Sequence, residues 1–180
     1  MGSLVFGTDG TLLLSVGDCA SYNGTDNGGQ QPGTYVNVAL NEGILKPHEN
    51  VGAFRAQTVD SHCGKILRLN PINGDGLPSN PFFDASEPRA PRSRVWALGL
   101  RNPFRMALKP ETGSHDPEDG DPGALYIGDV GYVTWEELNV CDGPGQNFGW
   151  PIYEGHHLEP GYAPVLTENP SAPNPLGSNC

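Results

Sequence analysis

The chain has few basic residues: ten Lys and Arg stand against 21 Asp and Glu, for a formal charge of −11 over 180 residues. So acidic a surface repels phosphate backbones and anionic lipid, which excludes nucleic acid and membrane surfaces as expected partners. It suits divalent cations and neutral ligands such as sugars. Long apolar runs are also lacking. The longest span about five residues, as in Leu12 to Val16, against the roughly 20 that a membrane-crossing helix needs. No charged segment followed by an apolar one opens the chain, so no signal peptide is visible. Met1-Gly2-Ser3 runs almost directly into a strand pattern, and the start reads as a cut. There is no Cys-x-x-Cys, and the cysteines at 19, 63, 141 and 180 fit no zinc spacing.

Glycine and proline, by contrast, are abundant, at 25 and 18 residues. Both break helix interiors, so long helices and helical bundles are excluded. The glycines follow no three-residue period, which excludes collagen. Three Trp, six Tyr and six Phe among clear apolar runs supply material for a core and argue against disorder. An even number of cysteines in an acidic, Lys-poor chain points to an extracellular or periplasmic protein with one or two disulfides. Of the three possible pairings we favour Cys19 with Cys63, because both follow the ends of strand-like units; free buried thiols are the alternative. Asn23-Gly24-Thr25 is a glycosylation sequon, meaningful only in a eukaryotic secretory setting.

Turn chemistry separates short strands. Leu4 to Gly7 meets Thr8-Asp9-Gly10, whose Asp-Gly is a strong hairpin signal, and Thr11 to Val16 returns. Residues 19–50 are polar and Gly-rich without a clear period, which reads as a long binding or functional loop. Lys65 to Leu69 alternates as a strand, 77–94 is a proline-punctuated connection, and Val95 to Leu100 opens a new apolar run. The plan then repeats. Met106 to Gly113 and Ala124 to Asp129 form strand, glycine turn, strand and Gly-Asp, as Leu4 to Asp18 do, and Glu136 to Val140 follows as Lys65 to Leu69 does. Repetition of short antiparallel strands marks a propeller or solenoid. A propeller blade takes roughly 40–50 residues, so the chain holds about two to three and is expected to be part of a larger ring. The expected division is a first blade region over 1–94 with its long loop, a second over 95–155, and a Pro-rich tail over 156–180. Ser114 to Gly123 carries Asp116, Glu118, Asp119 and Asp121 but no full calcium-loop pattern, and reads as a solvated hairpin extension.

Three stretches carry the residue types of a site: Gly99-Leu100-Arg101-Asn102-Pro103-Phe104-Arg105, Gly128 to Asn139 with its Trp-Glu-Glu-Leu-Asn, and Asn147-Phe148-Gly149-Trp150-Pro151. Arginine offers a fork for a carboxylate, and proline stiffens the turn beside it. In this order, and with Leu4 to Asp18 and Gly64 to Pro71 before them, these segments resemble the soluble PQQ-dependent glucose/sorbosone dehydrogenase family. The resemblance covers about residues 2–155. It implies an all-β fold: antiparallel four-stranded blades, about two to three of a six-bladed β-propeller. It also implies PQQ and Ca2+ as cofactors, a sugar substrate, a small-molecule or protein electron acceptor, and the remaining blades as partners.

Carried over residue by residue, the family's Arg-Asn pair that contacts the quinone falls on Arg101 and Asn102. Its Gly-Pro step, whose backbone carbonyls bind calcium, falls on Gly131 and Tyr132, with tyrosine in place of proline. Val130 stands where the family has a polar residue, and Cys19 stands at or near a cofactor-contacting glutamine. The family's catalytic histidine aligns about five residues before Leu4, ahead of Met1. No catalytic residue is therefore expected within the chain. His48, His62 and His115 sit in connections, and His156-His157 with Glu159 in a Pro/Gly loop is more simply a solvated pair than a metal site. The implied function is hydride transfer from a sugar hydroxyl to PQQ, with the isolated chain inactive. The alternative is a non-catalytic extracellular propeller that binds carbohydrate or protein, as in hedgehog-interacting relatives of the same fold.

Overall fold

The Asp9-Gly10 turn organises the start of the chain. Gly10 takes φ +75°, a conformation that costs a residue with a Cβ, and Asp9 Oδ1 accepts from the Thr11 amide (2.9 Å) and hydroxyl (2.7 Å). The turn joins β1 (Leu4–Phe6) to β2 (Leu12–Val16), paired antiparallel with Phe6 opposite Leu12. A computed structural model describes residues 2–30 and 33–164. β3 (Lys65–Leu69) pairs with β2, and β4 (Val95–Leu98) pairs with β3, giving one antiparallel four-stranded sheet in the order β1-β2-β3-β4. A second antiparallel sheet contains β5 (Pro103–Leu108), β6 (Leu125–Asp129) and β7 (Glu137–Cys141), and a short hairpin follows with β8 (Tyr153–Glu154) and β9 (His157–Leu158).

Antiparallel sheets of this kind make up propeller blades, and every strand expected from the repeat is present, although the second sheet has three strands among the described residues where four were expected. Val95–Leu98, read from the sequence as a new apolar run, pairs with β3 at the edge of the first sheet. All four of its residues are buried, so its apolar run carries no alternation that would mark which sheet it joins. Residues 19–50 are also more ordered than their composition implies, with α1 at Val36–Asn41 and a 3-10 turn at Pro47–Glu49. Cys180 and residues 165–180 of the Pro-rich tail lie outside the described residues.

Alternation in the central strands builds the core. Leu13 of β2, Ile66 of β3, Trp96 and Ala97 of β4 and Leu100 meet Met106, Leu125, Ile127 and Cys141 of the second sheet. A polar cluster lies under this core. Arg68 on β3 and Asp9 in the hairpin turn are both fully buried, with Arg68 Nη2 2.6 Å from Asp9 Oδ2. Arg68 also donates to the Thr11 and Ser79 hydroxyls, Asn80 Oδ1 and the Pro117 carbonyl, so all three of its nitrogens are engaged. Its Cζ lies 5.3 Å from the Trp96 ring centroid. Asn80 Nδ2 continues the cluster to the Arg68 and Ser93 carbonyls. α2 (Pro91–Arg94) leads directly into β4.

The favoured Cys19–Cys63 disulfide is also corrected: Cys19, Cys63 and Cys141 are free thiols. Cys19 turns out of the strand line with φ +59°, and its Sγ points back to the Gly17 carbonyl at 3.4 Å. The two sulfurs meet as a hydrogen-bonded thiol pair, which pulls the Cys63 thiol down, helped by the Ser61 hydroxyl and the Arg55 and Lys65 charges, and pushes Cys19 up. Burial pushes the Cys141 thiol up to about 12. Iodoacetamide at pH 7 is therefore expected to alkylate Cys63 first, because the thiolate is the nucleophile. Cys141 should react only after unfolding. Peptide mass mapping over time checks the order, and equal rates at Cys63 and Cys141 would contradict it.

Candidate functional site

The two Gly-Asp pairs that end β2 and β6 converge on one segment. Asp129 Oδ2 accepts from the Arg101 amide at 2.9 Å and Oδ1 from the Asn102 amide at 2.6 Å. From the other sheet, the Asp18 amide donates to the Arg101 carbonyl at 2.7 Å. Pro103, at the start of β5, follows directly, so the Arg101-Asn102 backbone is held from both sheets. Asp129 is 4% exposed, and burial pushes its carboxyl up to about 7 against the two amide hydrogen bonds. Burial also raises Asp18.

The side chain of Arg101 lies across an aromatic wall. Its Cζ is 5.4 Å from the Tyr132 ring and 5.6 Å from the Trp150 ring. Tyr162 packs edge-on against Trp150 at 5.2 Å and tilts against Tyr132 at 6.0 Å. Trp150 is fixed by its indole Nε1 donating to Asp18 Oδ2 at 2.8 Å. Gln57 Nε2 holds the Trp150 carbonyl at 2.7 Å, and Asn147 Nδ2 donates to Gln57 Oε1 at 2.7 Å. Arg101 Nη1 donates to the Gly131 carbonyl at 2.6 Å and the Val130 carbonyl at 3.0 Å. Its Nε and Nη2 make no hydrogen bond to the described residues, and neither is a buried unsatisfied atom. No carboxylate among the described residues forms an ion pair with it. Asn102 likewise spends its main chain on the fold and leaves its side-chain amide without a hydrogen bond among the described residues. Arg101, Asp129, Gly131, Glu137, Trp150 and Glu154 line a tight crevice with no room for a water molecule.

The loop after β6 is shaped by a carboxylate. Glu154, 2% exposed, accepts from the successive amides of Tyr132, Val133 (3.2 Å) and Thr134 (2.9 Å). Gly131 has no room for a side chain, since a Cβ there would lie 1.6 Å from the Trp135 carbonyl.

Sequence reasoning placed Arg101, Asn102, Gly131 and Tyr132 at the site, and the structure brings all four together. Tyr132 enters through its ring, which backs the guanidinium, and not only through its carbonyl. Asp18, Gln57, Asp129, Trp150 and Glu154 were not assigned site roles; the duplicated Gly-Asp pairs were the available signal for the two aspartates. Of the carbonyl pair implied for calcium, the Gly131 oxygen accepts from Arg101 Nη1 at 2.6 Å. The described residues hold no group of three or more His, Cys, Asp or Glu suited to a metal. In the Ser114–Gly123 extension, Asp116, Asp119 and Asp121 accept from neighbouring amides and a serine hydroxyl.

Two antiparallel sheets thus meet at the Arg101-Asn102 segment, each holding it through the Gly-Asp pair at a strand end. Residues 1–176 match the family model described as glucose/sorbosone dehydrogenase, and the chain belongs to that family. HIPL2 protein of Arabidopsis thaliana is 29% identical over 157 residues, covering 87% of this chain and 19% of that protein. Aldose sugar dehydrogenase YliI of Escherichia coli K12 is 31% identical over 118 residues, covering 66% of this chain and 26% of that protein. The PQQ-bound form of aldose sugar dehydrogenase from Streptomyces coelicolor superposes with a TM-score of 0.52 at 26% identity, over 88% of this chain and 32% of that one. The chain thus spans a fifth to a third of the length of these relatives. No helix among the described residues is long and apolar enough to cross a membrane.

Proposed function

We propose that this chain forms part of the cofactor floor of a PQQ-dependent sugar dehydrogenase. The observation that carries the reading is the Arg101 guanidinium: backed by two aromatic rings, free of any carboxylate partner among the described residues, and left with two nitrogens that make no hydrogen bond to them. A planar quinone bearing carboxylates matches such a fork, and Asn102 offers an amide beside it. The solved Streptomyces relative, similar along most of this chain, is a PQQ-bound form.

Bound PQQ supplies the hydride acceptor for oxidation of a sugar hydroxyl. The residues here bind and orient it. Asp129 fixes the Arg101-Asn102 backbone, Asp18 fixes Trp150, and Trp150 and Tyr132 screen the guanidinium from water. The general base and the remaining cofactor contacts belong to blades outside these residues, as does access for the electron acceptor. On this reading the two sheets are successive blade regions, and the protein works outside the cytoplasm.

The test is a titration of the full-length protein with PQQ, followed by its absorbance and by quenching of tryptophan fluorescence. Saturable one-to-one binding, with dye reduction on adding an aldose, is the expected result. Absence of binding in a folded protein would sink the reading and leave a recognition propeller.

A further inference from the structure

We propose that the Arg101 guanidinium takes the place of a divalent cation in this site, so that PQQ is held without calcium. The inference rests on the quinoprotein reading above and concerns how the same site supplies positive charge. Two carbonyls are involved. The Gly131 oxygen, implied as a calcium ligand, accepts from Arg101 Nη1 at 2.6 Å, and the Val130 oxygen accepts from the same nitrogen at 3.0 Å. Calcium would need the Gly131 lone pairs at about 2.4 Å, which would set a dication against the guanidinium.

The guanidinium is not free to swing away at no cost. Its Cζ lies over the Tyr132 ring at 5.4 Å and the Trp150 ring at 5.6 Å, and Trp150 is anchored to Asp18 and Gln57. Its backbone is held by Asp129 and by the Asp18 amide. Nearby carboxylates are committed as well: both Asp129 oxygens accept from main-chain amides, Glu154 accepts from three, and Glu137 Oε1 accepts from Gly155. None pairs with Arg101 within 4.0 Å among the described residues. A fixed positive charge thus stands at the Val130 and Gly131 carbonyls, with Nε and Nη2 making no hydrogen bond to the described residues. Tyrosine at 132 is part of the device, since the guanidinium lies over its ring.

The experiment titrates PQQ into the full-length protein in EGTA and again in millimolar calcium chloride, following absorbance, with Arg101→Gln and Arg101→Lys in parallel. Folding of each variant is checked by its melting temperature. The expected result is a wild-type Kd that agrees within twofold between EGTA and calcium and rises at least tenfold in Arg101→Gln. Binding that weakens tenfold or more in EGTA overturns the inference and leaves the quinoprotein reading standing. Unchanged affinity in a folded Arg101→Gln overturns it too. Failure to bind PQQ under both conditions overturns the inference together with the reading on which it rests.

Discussion

Arg68→Ala is expected to lower the free energy of unfolding by about 3–5 kcal/mol, because it strips a buried charge of its partner. Asp9 would remain at zero side-chain exposure with no guanidinium beside it. The Ser79 and Asn80 side chains and the Pro117 carbonyl would lose a donor at the same time. The cluster joins the first hairpin, β3, the 77–94 connection and the 114–123 extension, so the damage should not stay local. Urea denaturation followed by tryptophan fluorescence measures it, and Trp96, 5.3 Å from the guanidinium, is a direct reporter. A loss below about 1 kcal/mol, the range of an exposed ion pair, would show that the cluster is not held as described.

Asp129→Ala is the second large effect expected. It leaves the Arg101 and Asn102 amides without their acceptor. At up to about 1–3 kcal/mol for each donor when fully buried, and with both amides part-buried, the loss is roughly 1–3 kcal/mol in all near pH 5. The pH dependence has a definite sign. Burial raises the Asp129 carboxyl to about 7 in the folded chain, against about 3.9 unfolded. Between those values the folded state holds the extra proton, so the stability that Asp129 contributes falls as pH rises through 7. The gap between wild type and Asp129→Ala should therefore narrow from pH 5 to pH 8. A gap that widens would reverse the assignment. PQQ affinity should fall in the same variant, since Arg101 loses its backbone anchor.

Much of the fold was legible because local chemistry and tertiary structure agree. Asp9-Gly10 turns where an Asp-Gly pair should, and the strands at 12–16, 65–69, 103–108, 125–129 and 137–141 fall on apolar runs bounded by glycine, proline or acidic residues. The sheet to which Val95–Leu98 belongs was not legible, because a strand buried throughout has no polar face to show which sheet owns it. The thiols were misread for a related reason: spacing suggests which two cysteines lie near each other, not whether the neighbouring Cys19 and Cys63 thiols are joined. At the site, Arg101 and Asn102 were legible as a motif. The role of Asp129 was not, because a carboxylate that holds two amides 27 and 28 residues away depends on how β5 and β6 are brought together. Glu154 belongs to the same class, acting on amides 20–22 residues back across a hairpin.

The Arg101-Asn102 segment is held from both sheets, by the Asp18 amide on one side and the Asp129 carboxyl on the other. Occupancy and cohesion are consequently one thermodynamic quantity. A ligand that binds only the assembled junction adds about 1.4 kcal/mol to the folded state for each tenfold excess over its Kd. The loaded protein should exchange its amide hydrogens more slowly at Arg101, Asn102 and Asp18 together, as a single unit spanning the junction.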